Sequence, residues 1–252
     1  MIYITGAGGQ IGRSLVSKME IMDLDFIKIH HADYQNISFQ KDESSVLIHL
    51  GWETKVRTRA AQEQCRVNSY DLINSALVAQ LRIIYISSDS ALSATRSNYG
   101  YAKYLLEEQL KDSNVTCVRL GFIDFPFETK KYIKTAMKII KHNFVMPRII
   151  QPELRMRVAP QEKLIESLLE LISNPTETGR DLSEIHRTYT LEEYLLKKLG
   201  KENSKLPLKI PIPSILIMAL LKCTSILSRQ RTNWHDSFLG LVDSNRKADL
   251  HV

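Results

Sequence analysis

Tyr99 and Lys103 stand four residues apart in Tyr99-Gly-Tyr-Ala-Lys103, a spacing that puts both on one face of a helix, with an ammonium beneath a phenol. A free tyrosine, with a pKa of about 10, is a poor base at neutral pH; a neighbouring cation stabilises the phenolate and draws that value toward the working range. The pair is a candidate for proton transfer. Tyr101 and Tyr104 have no lysine at that offset, and Tyr104 meets Glu108 instead, so both read as packing or substrate-wall residues. Upstream, the apolar run Arg82-Ile-Ile-Tyr-Ile86 leads into Ser87-Ser88-Asp89-Ser90. That places hydroxyls at the C-terminal end of a strand, where ligands bind in open α/β sheets.

A Tyr-x-x-x-Lys pair by itself is most often a solvated helix face. The N-terminus changes its weight. Met1-Ile-Tyr-Ile-Thr-Gly-Ala-Gly-Gly-Gln-Ile-Gly12 sets a short apolar run directly before glycines at positions 6, 9 and 12. Gly6 can turn where a side chain would clash, Gly9 lets the backbone approach phosphate oxygens, and Gly12 lets the new helix lie close on a sheet with its N-terminal amides facing the anion. The context fits: Ile2 to Thr5 reads as a buried strand, and Ile11, Leu15, Val16 and Met19 recur at helical spacing through Met22.

The elements that must carry these residues follow from the alternation of the chain. Apolar runs recur at Phe26 to Ile29, Val46 to Leu50, Arg82 to Ile86 and Val115 to Leu120, with helices predicted at Ala60 to Leu81 and Tyr99 to Leu110. Strands alternating with helices imply an α/β fold built on a doubly wound, Rossmann-type parallel sheet. The span from Phe26 to Leu50 is too short for a full helix between two strands, which predicts a poorly formed extra strand near Asn36 to Phe39 and an abbreviated helix. After Pro126 the composition shifts to longer helical stretches, at Thr129 to His142, Pro160 to Ile172 and Thr190 to Leu199. The expected division is a dinucleotide-binding domain over 1–125 and a smaller, mainly helical substrate-binding lobe over 126–252, interleaved with the first.

The chain has 252 residues, 44% hydrophobic and 25% charged, enough to bury a sizeable core. A basic segment followed by a long apolar stretch and a cleavage site is not visible at the N-terminus, so the cytoplasm is the expected location. Cys65, Cys117 and Cys223 are odd in number and widely spaced, without metal-ligand spacing to any histidine cluster; reduced structural thiols are expected and no metal. The net charge of +6 suggests an anionic partner. Its basic residues are scattered and not interleaved with aromatics, which favours a phosphorylated small molecule over nucleic acid. Ser214-Ile-Leu-Ile-Met-Ala-Leu-Leu221 is apolar on every side but too short to span a bilayer, and reads first as a helix buried in the second lobe, with a membrane-surface patch or a dimer contact as the alternatives. Arg229, Arg231 and Arg246 nearby read as solvent charges, with the alternative that one of them reaches a diphosphate bidentately.

Taken together these residues resemble the extended short-chain dehydrogenase/reductase family, in its nucleotide-sugar epimerase, dehydratase and 4-ketoreductase branch. Thr5-Gly-Ala-Gly-Gly-Gln-Ile-Gly12 is similar to the family's Thr-Gly-x-x-Gly-x-x-Gly, and His49-Leu-Gly-Trp52 to the His-Leu-Ala-Ala segment that lines the cofactor after the fourth strand. Val67-Asn-Ser69 resembles a Val-Asn segment, Arg119-Leu-Gly-Phe122 the Arg-x-Gly-Asn strand end near the nicotinamide, and Thr190-Leu-Glu-Glu193 the start of a late helix. The resemblance implies catalytic roles for Ser88, Tyr99 and Lys103. It implies NAD or NADP held by Gly6, Gly9, Gln10, Ile11 and Gly12 at the turn and by His31 after the second strand. Further contacts to it would come from Leu50, Gly51, Trp52, Asn68 and Ser87, from Tyr99 and Lys103 themselves, and from Gly121, Phe122 and Ile123. A nucleotide-diphosphate sugar would meet Ser88, Asp89 and Arg155, and the family likeness suggests a homodimer through the two long helices.

The departures are specific. The second strand ends Lys28-Ile-His-His-Ala-Asp33, without a clear Asp for the adenosine ribose or a clear Arg for a 2′-phosphate, so NAD and NADP both stand. The Ser88 to Tyr99 loop is shorter than in the family, Gln161-Glu162 stands where an Asp-Asp pair is frequent, and the chain stops soon after Leu241-Val-Asp-Ser244, short of an expected last helix. Two functions are carried forward. One is an NAD(P)-dependent epimerase or 4-ketoreductase acting on a nucleotide-activated hexose in surface-polysaccharide sugar biosynthesis. The other is a non-catalytic NAD(P)-sensing or scaffold protein that retains the fold.

Overall fold

Five short apolar runs, each four to seven residues long, become the parallel strands β1 (Ile2–Thr5), β2 (Phe26–Ile29), β3 (Val46–His49), β4 (Arg82–Ser88) and β5 (Val115–Leu120). They assemble in the order β2-β1-β3-β4-β5. The structure, a computed structural model, describes residues 1–55, 58–125, 145–150, 154–174, 182–198, 208–213 and 234–248. Alternate residues face opposite sides of the sheet and both sides are covered, which explains why the strands read as continuous apolar runs. On one face Ile4, Ile48, Ile84 and Val118 pack against α1 (Gln10–Ile21). On the other, Tyr3, Leu47, Ile83 and Tyr85 pack against α2 (Arg59–Val78) and α3 (Asn98–Leu110). The chain reverses its winding between β1 and β3, so the crevice at their C-terminal ends is the topological switch point where ligands bind in such sheets.

The helix starts are locally encoded. Thr58 Oγ1 accepts from the Ala61 amide at 3.3 Å and Ser97 Oγ accepts from the Gly100 amide at 3.1 Å, each relieving one free donor of a first turn. The helix ends are less usual. Asp23 (φ 54) and Gln80 (φ 62) occupy the left-handed position after α1 and α2 that glycine normally takes, and the Leu24 and Leu81 amides close back on the Met19 and Ala76 carbonyls.

The expected strand near Asn36 to Phe39 does not form. A 3-10 turn at His31–Asp33 is followed by loop, and Phe39 is spent instead as an edge-on packing partner of Tyr3, with ring centroids 5.1 Å apart. The segment beginning at His49 therefore follows the third strand, not the fourth. Beyond it, β6 (Phe122–Asp124), β8 (Arg155–Pro160) and β9 (Arg187–Thr190) make a second sheet in the order β6-β8-β9. A third, two-stranded sheet pairs β7 (Val145–Ile150) with β10 (Leu208–Pro213) in parallel.

The later part of the chain is tied back to the first sheet. α4 (Gln161–Ser173) places Leu164 and Leu168 in the same cluster as Ile4 and Leu15, and the Gln161 amide donates to Ser14 on α1. Arg82, at the start of β4, donates to the carbonyls of Leu171 (2.6 Å), Asn174 (3.0 Å) and Ile172, setting a cation on the negative end of α4. The Thr190 motif starts α5 (Leu191–Lys198) with a reciprocal cap: Glu193 N–H donates to Thr190 Oγ1 at 3.1 Å, and the Glu193 carboxylate accepts from Thr190 N–H at 2.7 Å. Leu241 to Ser244 lie inside a final helix, α6 (Trp234–Ala248), where the sequence reading placed a curtailed end. The helix expected over Thr129 to His142, the apolar run from Ser214, and Arg229 and Arg231 lie outside the described residues, as does the Arg246 side chain. No helix among the described residues is long and apolar enough to cross a membrane.

Candidate active site

The glycine turn has the geometry its residues demand. Gly6 has φ +67, and a Cβ there would stand 2.7 Å from the Gly51 nitrogen and 2.8 Å from the Leu50 carbonyl carbon. A side chain at Gly12 would overlap the Gly6 carbonyl, and Gly9 donates its amide to that carbonyl at 2.9 Å. Gly9 caps α1 without a side-chain hydrogen bond, and the first turn holds no acidic residue. A Cβ at Gly8 would meet nothing within 4 Å, while Arg13 brings its guanidinium to the Gly8 carbonyl at 3.1 Å. A helix N-terminus without an acidic residue in its first turn, open space at Gly8 and a nearby cation fit the pyrophosphate of a dinucleotide. Gln10 and Ile11 open α1, half-buried, with Ile11 packed against the core.

Thr5 couples β1 to the β3 end: its Oγ1 accepts from the Gly51 amide at 2.9 Å and lies 2.9 Å from His49 Nδ1. Burial, with the Lys103 charge second, pushes the His49 pKa down to about 3, so the imidazole is neutral. His31, after β2, and Asn68, on α2, are distant in sequence but meet in space, with Asn68 Nδ2 3.4 Å from His31 Nε2.

Ser88, Tyr99 and Lys103 are carried to the C-terminal end of β4 and the first turns of α3. Ser88 Oγ lies 3.0 Å from Ser90 Oγ and accepts from the Ser90 amide at 3.3 Å, while Ser87 is buried beside it. The Lys103 ammonium is buried, donating to the Ile86 carbonyl at 2.7 Å and to the Tyr85 hydroxyl at 3.3 Å. It lies 4.3 Å from the Trp52 ring centroid, 4.8 Å from that of Tyr85 and 5.6 Å from that of Tyr99. Burial pushes its pKa down to about 7, against an opposing pull from Glu107. Trp52 stands edge-on to Tyr99 at 6.2 Å, its indole N–H held by Gln62 Oε1 at 2.8 Å. The sequence pairing of Tyr99 with Lys103 is thus present in space, with an indole added that spacing could not reveal.

The remaining candidates divide. Asp89 accepts from Arg157 Nη1 at 2.9 Å, and Gly121 approaches so closely that a Cβ would stand 2.7 Å from Asp89 Oδ2. His186 Nε2 accepts from the Gly121 amide at 3.2 Å, which fixes the ring proton on Nδ1, facing the Leu182 carbonyl at 2.8 Å. Arg155 is exposed, and its backbone pairs with Asn245 of α6 (N–H to Oδ1, 2.6 Å; carbonyl from Nδ2, 2.8 Å). Arg155 and Arg157 share a face of β8, and only the folded register shows that Arg157 reaches the strand end beside Ser88. Phe122 packs edge-on against Tyr194 at 5.3 Å and Ile123 is part of the core, so these two abut the site from its packed side. Arg119 is taken by Glu107 in a two-pronged ion pair.

Two carboxylates of α6 hold the short loop that carries these groups. Asp243 accepts from the Arg96 amide (2.7 Å) and from its Nε (3.0 Å) and Nη2 (2.7 Å). Asp236 accepts from Ser97 Oγ at 2.9 Å and from the Asn98 amide at 2.7 Å, immediately before Tyr99. Sequence reasoning missed both, because their partners lie well over a hundred residues away.

No family model and no curated protein matches the chain. Solved structures do. A nucleoside-diphosphate-sugar epimerase from Staphylococcus aureus superposes with a TM-score of 0.70 at 12% identity, covering 96% of this chain and 90% of that one. A dTDP-4-dehydrorhamnose reductase from Bacillus anthracis in complex with NADP gives 0.65 at 16% identity, over 86% of this chain and 85% of that one. An enzyme of Bordetella bronchiseptica in complex with NAD+ gives 0.64 at 13%, over 84% and 85%. At these identities the likeness is one of fold, and the chain has a Rossmann-type α/β fold.

Proposed function

We propose that the protein is an NAD(P)-dependent oxidoreductase or isomerase acting at C4 of a nucleotide-activated hexose, by 4-keto reduction or 4-epimerisation. The observation that carries this is the pairing of Tyr99 with Lys103 at the start of α3, the helix that follows the strand β4 whose C-terminal end holds Ser88. The family resemblance of these motifs, and the nucleotide-sugar enzymes among the similar structures, supply the substrate class.

In this reading Tyr99 exchanges a proton with the sugar 4-oxygen while Ser88 donates a hydrogen bond to the same oxygen. Lys103, with its ammonium at the phenol ring, is the cation that would stabilise the phenolate. Gly6, Gly9 and Gly12 seat the pyrophosphate, and His31 and Asn68 border the adenosine end. The bound nicotinamide supplies or accepts the hydride at C4. Arg157, through Asp89, fixes the strand end next to Ser88.

The division into a dinucleotide domain over 1–125 and an interleaved substrate lobe over 126–252 belongs to the same proposal, as do a cytoplasmic location and a homodimer through α2 and α3. Sedimentation that finds only monomer at high concentration would count against the dimer. The deciding experiment is titration of purified protein with NAD, NADH, NADP and NADPH, followed by turnover with a panel of 4-keto nucleotide sugars. Tightly retained NAD identifies an epimerase that recycles its cofactor, and exchangeable binding with preference for a reduced form identifies a reductase. Failure to bind any of the four would overturn the proposal.

A further inference from the structure

Lys103 presents an electrostatic problem. An ammonium that is to stabilise a phenolate must be charged, yet this one is buried and its neighbourhood offers little negative charge. The titratable groups facing it are Tyr85 from β4, His49 from β3, Cys65 from α2, Cys117 from β5, and Tyr99 and Glu107 from α3 itself. Of these Glu107 alone is an ordinary carboxylate; it pulls the Lys103 pKa up against burial, but it is shared with Arg119 in a two-pronged pair. His49 is neutral, and among the described residues the ammonium donates to the Ile86 carbonyl and the Tyr85 hydroxyl alone. What remains around Nζ is aromatic surface, and the nearest ring is that of Trp52, at 4.3 Å.

We propose that Trp52 is a positioning residue for the proton-transfer pair: its indole face holds Lys103 in the cationic form beside Tyr99. The inference rests on Tyr99 and Lys103 being that pair. Indole has the strongest quadrupole of the aromatic side chains, and a cation–π contact gains most where water is excluded, as it is at a buried ammonium. The ring is not free to drift. Its N–H is anchored on Gln62 Oε1 at 2.8 Å, and buried Gln62 in turn donates its Nε2 to the Glu53 carbonyl at 3.0 Å. The same indole meets Tyr99 edge-on, so one side chain sets both the charge of the lysine and the seat of the phenol. Burial pulls the Lys103 pKa down to about 7, so near neutral pH its charge is sensitive to the contacts around it.

The test reads Lys103 directly and needs no turnover. In protein carrying 13C at lysine Cε, the Lys103 resonance, identified by its loss in Lys103→Arg, is titrated in wild type, Trp52→Phe and Trp52→Leu. Loss of a desolvated cation–π contact lowers the midpoint by about one pH unit in Trp52→Leu, and by less in Trp52→Phe, which keeps a ring face. An unmoved midpoint in Trp52→Leu overturns the proposal. A second measurement leaves Trp52 in place: Trp234→Phe makes it the sole tryptophan, and its emission should change across the Lys103 titration and lose that change in Lys103→Met. Emission that is flat with pH, or that titrates identically without the lysine, overturns it as well. If wild type titrates as expected but turns over no 4-keto nucleotide sugar, the reductase or epimerase reading fails and the lysine–indole coupling stands.

Discussion

Tyr99 is the residue on which the function turns, because among the described residues no other tyrosine of α3 has an ammonium at its ring. Replacing it by phenylalanine removes one oxygen and leaves the ring that Trp52 meets edge-on. Turnover of a 4-keto nucleotide sugar is expected to fall by roughly 10²–10⁴-fold in Tyr99→Phe, the span of a lost general acid or base, with cofactor affinity retained. Steady-state rates and cofactor titration on the same preparation check both halves; unchanged turnover would remove Tyr99 from the chemistry. The spacing of Tyr99 and Lys103 was legible in the sequence because a helix brings residues four apart together whatever the tertiary structure. Trp52 was legible only as a cofactor-lining candidate, since its approach to Lys103 depends on β3 and α3 meeting across β4.

At the scale of elements, the helix boundaries make two separable predictions. Gln80 holds a left-handed conformation that disfavours any residue with a Cβ. Gln80→Gly is therefore expected to stabilise the protein by about 0.5–1 kcal/mol after allowing for the freer unfolded chain, read as a higher urea midpoint with an unchanged slope. Asp236 acts in the opposite sense. It caps the start of α3 from α6, through Ser97 and the Asn98 amide, and Asp236→Ala should cost about 1–2 kcal/mol by the same measurement. A loss no greater than that of an exposed surface change would show that the cap carries no weight. These two elements mark the boundary of sequence reading. The β1–turn–α1 unit and the Ser-Ser strand end were readable because their signals are local. The missing strand near Asn36 was not, because Phe39 has the β propensity of a strand residue and was claimed by packing on Tyr3. The α6 clamp was invisible because Asp236 and Asp243 become interpretable only once the fold sets them against Ser97 and Arg96.

At the scale of the whole molecule, two bases among the described residues, His49 and Lys103, lie inside the apolar interior, and their titration should dominate the pH dependence of the cofactor-free protein. Both have folded pKa values below their unfolded ones, from 6.5 to about 3 for His49 and from 10.5 to about 7 for Lys103. Within each interval the unfolded chain binds a proton that the native state does not, so stability rises with pH across both. For His49 the rise falls between about pH 3 and 6.5, so acid destabilises the fold as the buried imidazole is forced to charge. For Lys103 it falls between about pH 7 and 10.5, where the native state sheds a charge that burial disfavours. Each slope can approach about 1.4 kcal/mol per pH unit, the limit for one proton. Urea unfolding from pH 5 to 10 should show the upper rise in wild type and lose it in Lys103→Met, with the acid limb preserved. An upper rise that survives in Lys103→Met would assign it to other groups. A bound dinucleotide should lift the whole curve by its binding free energy, because it engages only the native state. Its added negative charge near Lys103 should also favour the ammonium, moving the upper rise to higher pH. The cofactor-dependent displacement of that limb, absent in Lys103→Met, would place the dinucleotide beside this lysine without any assay of turnover.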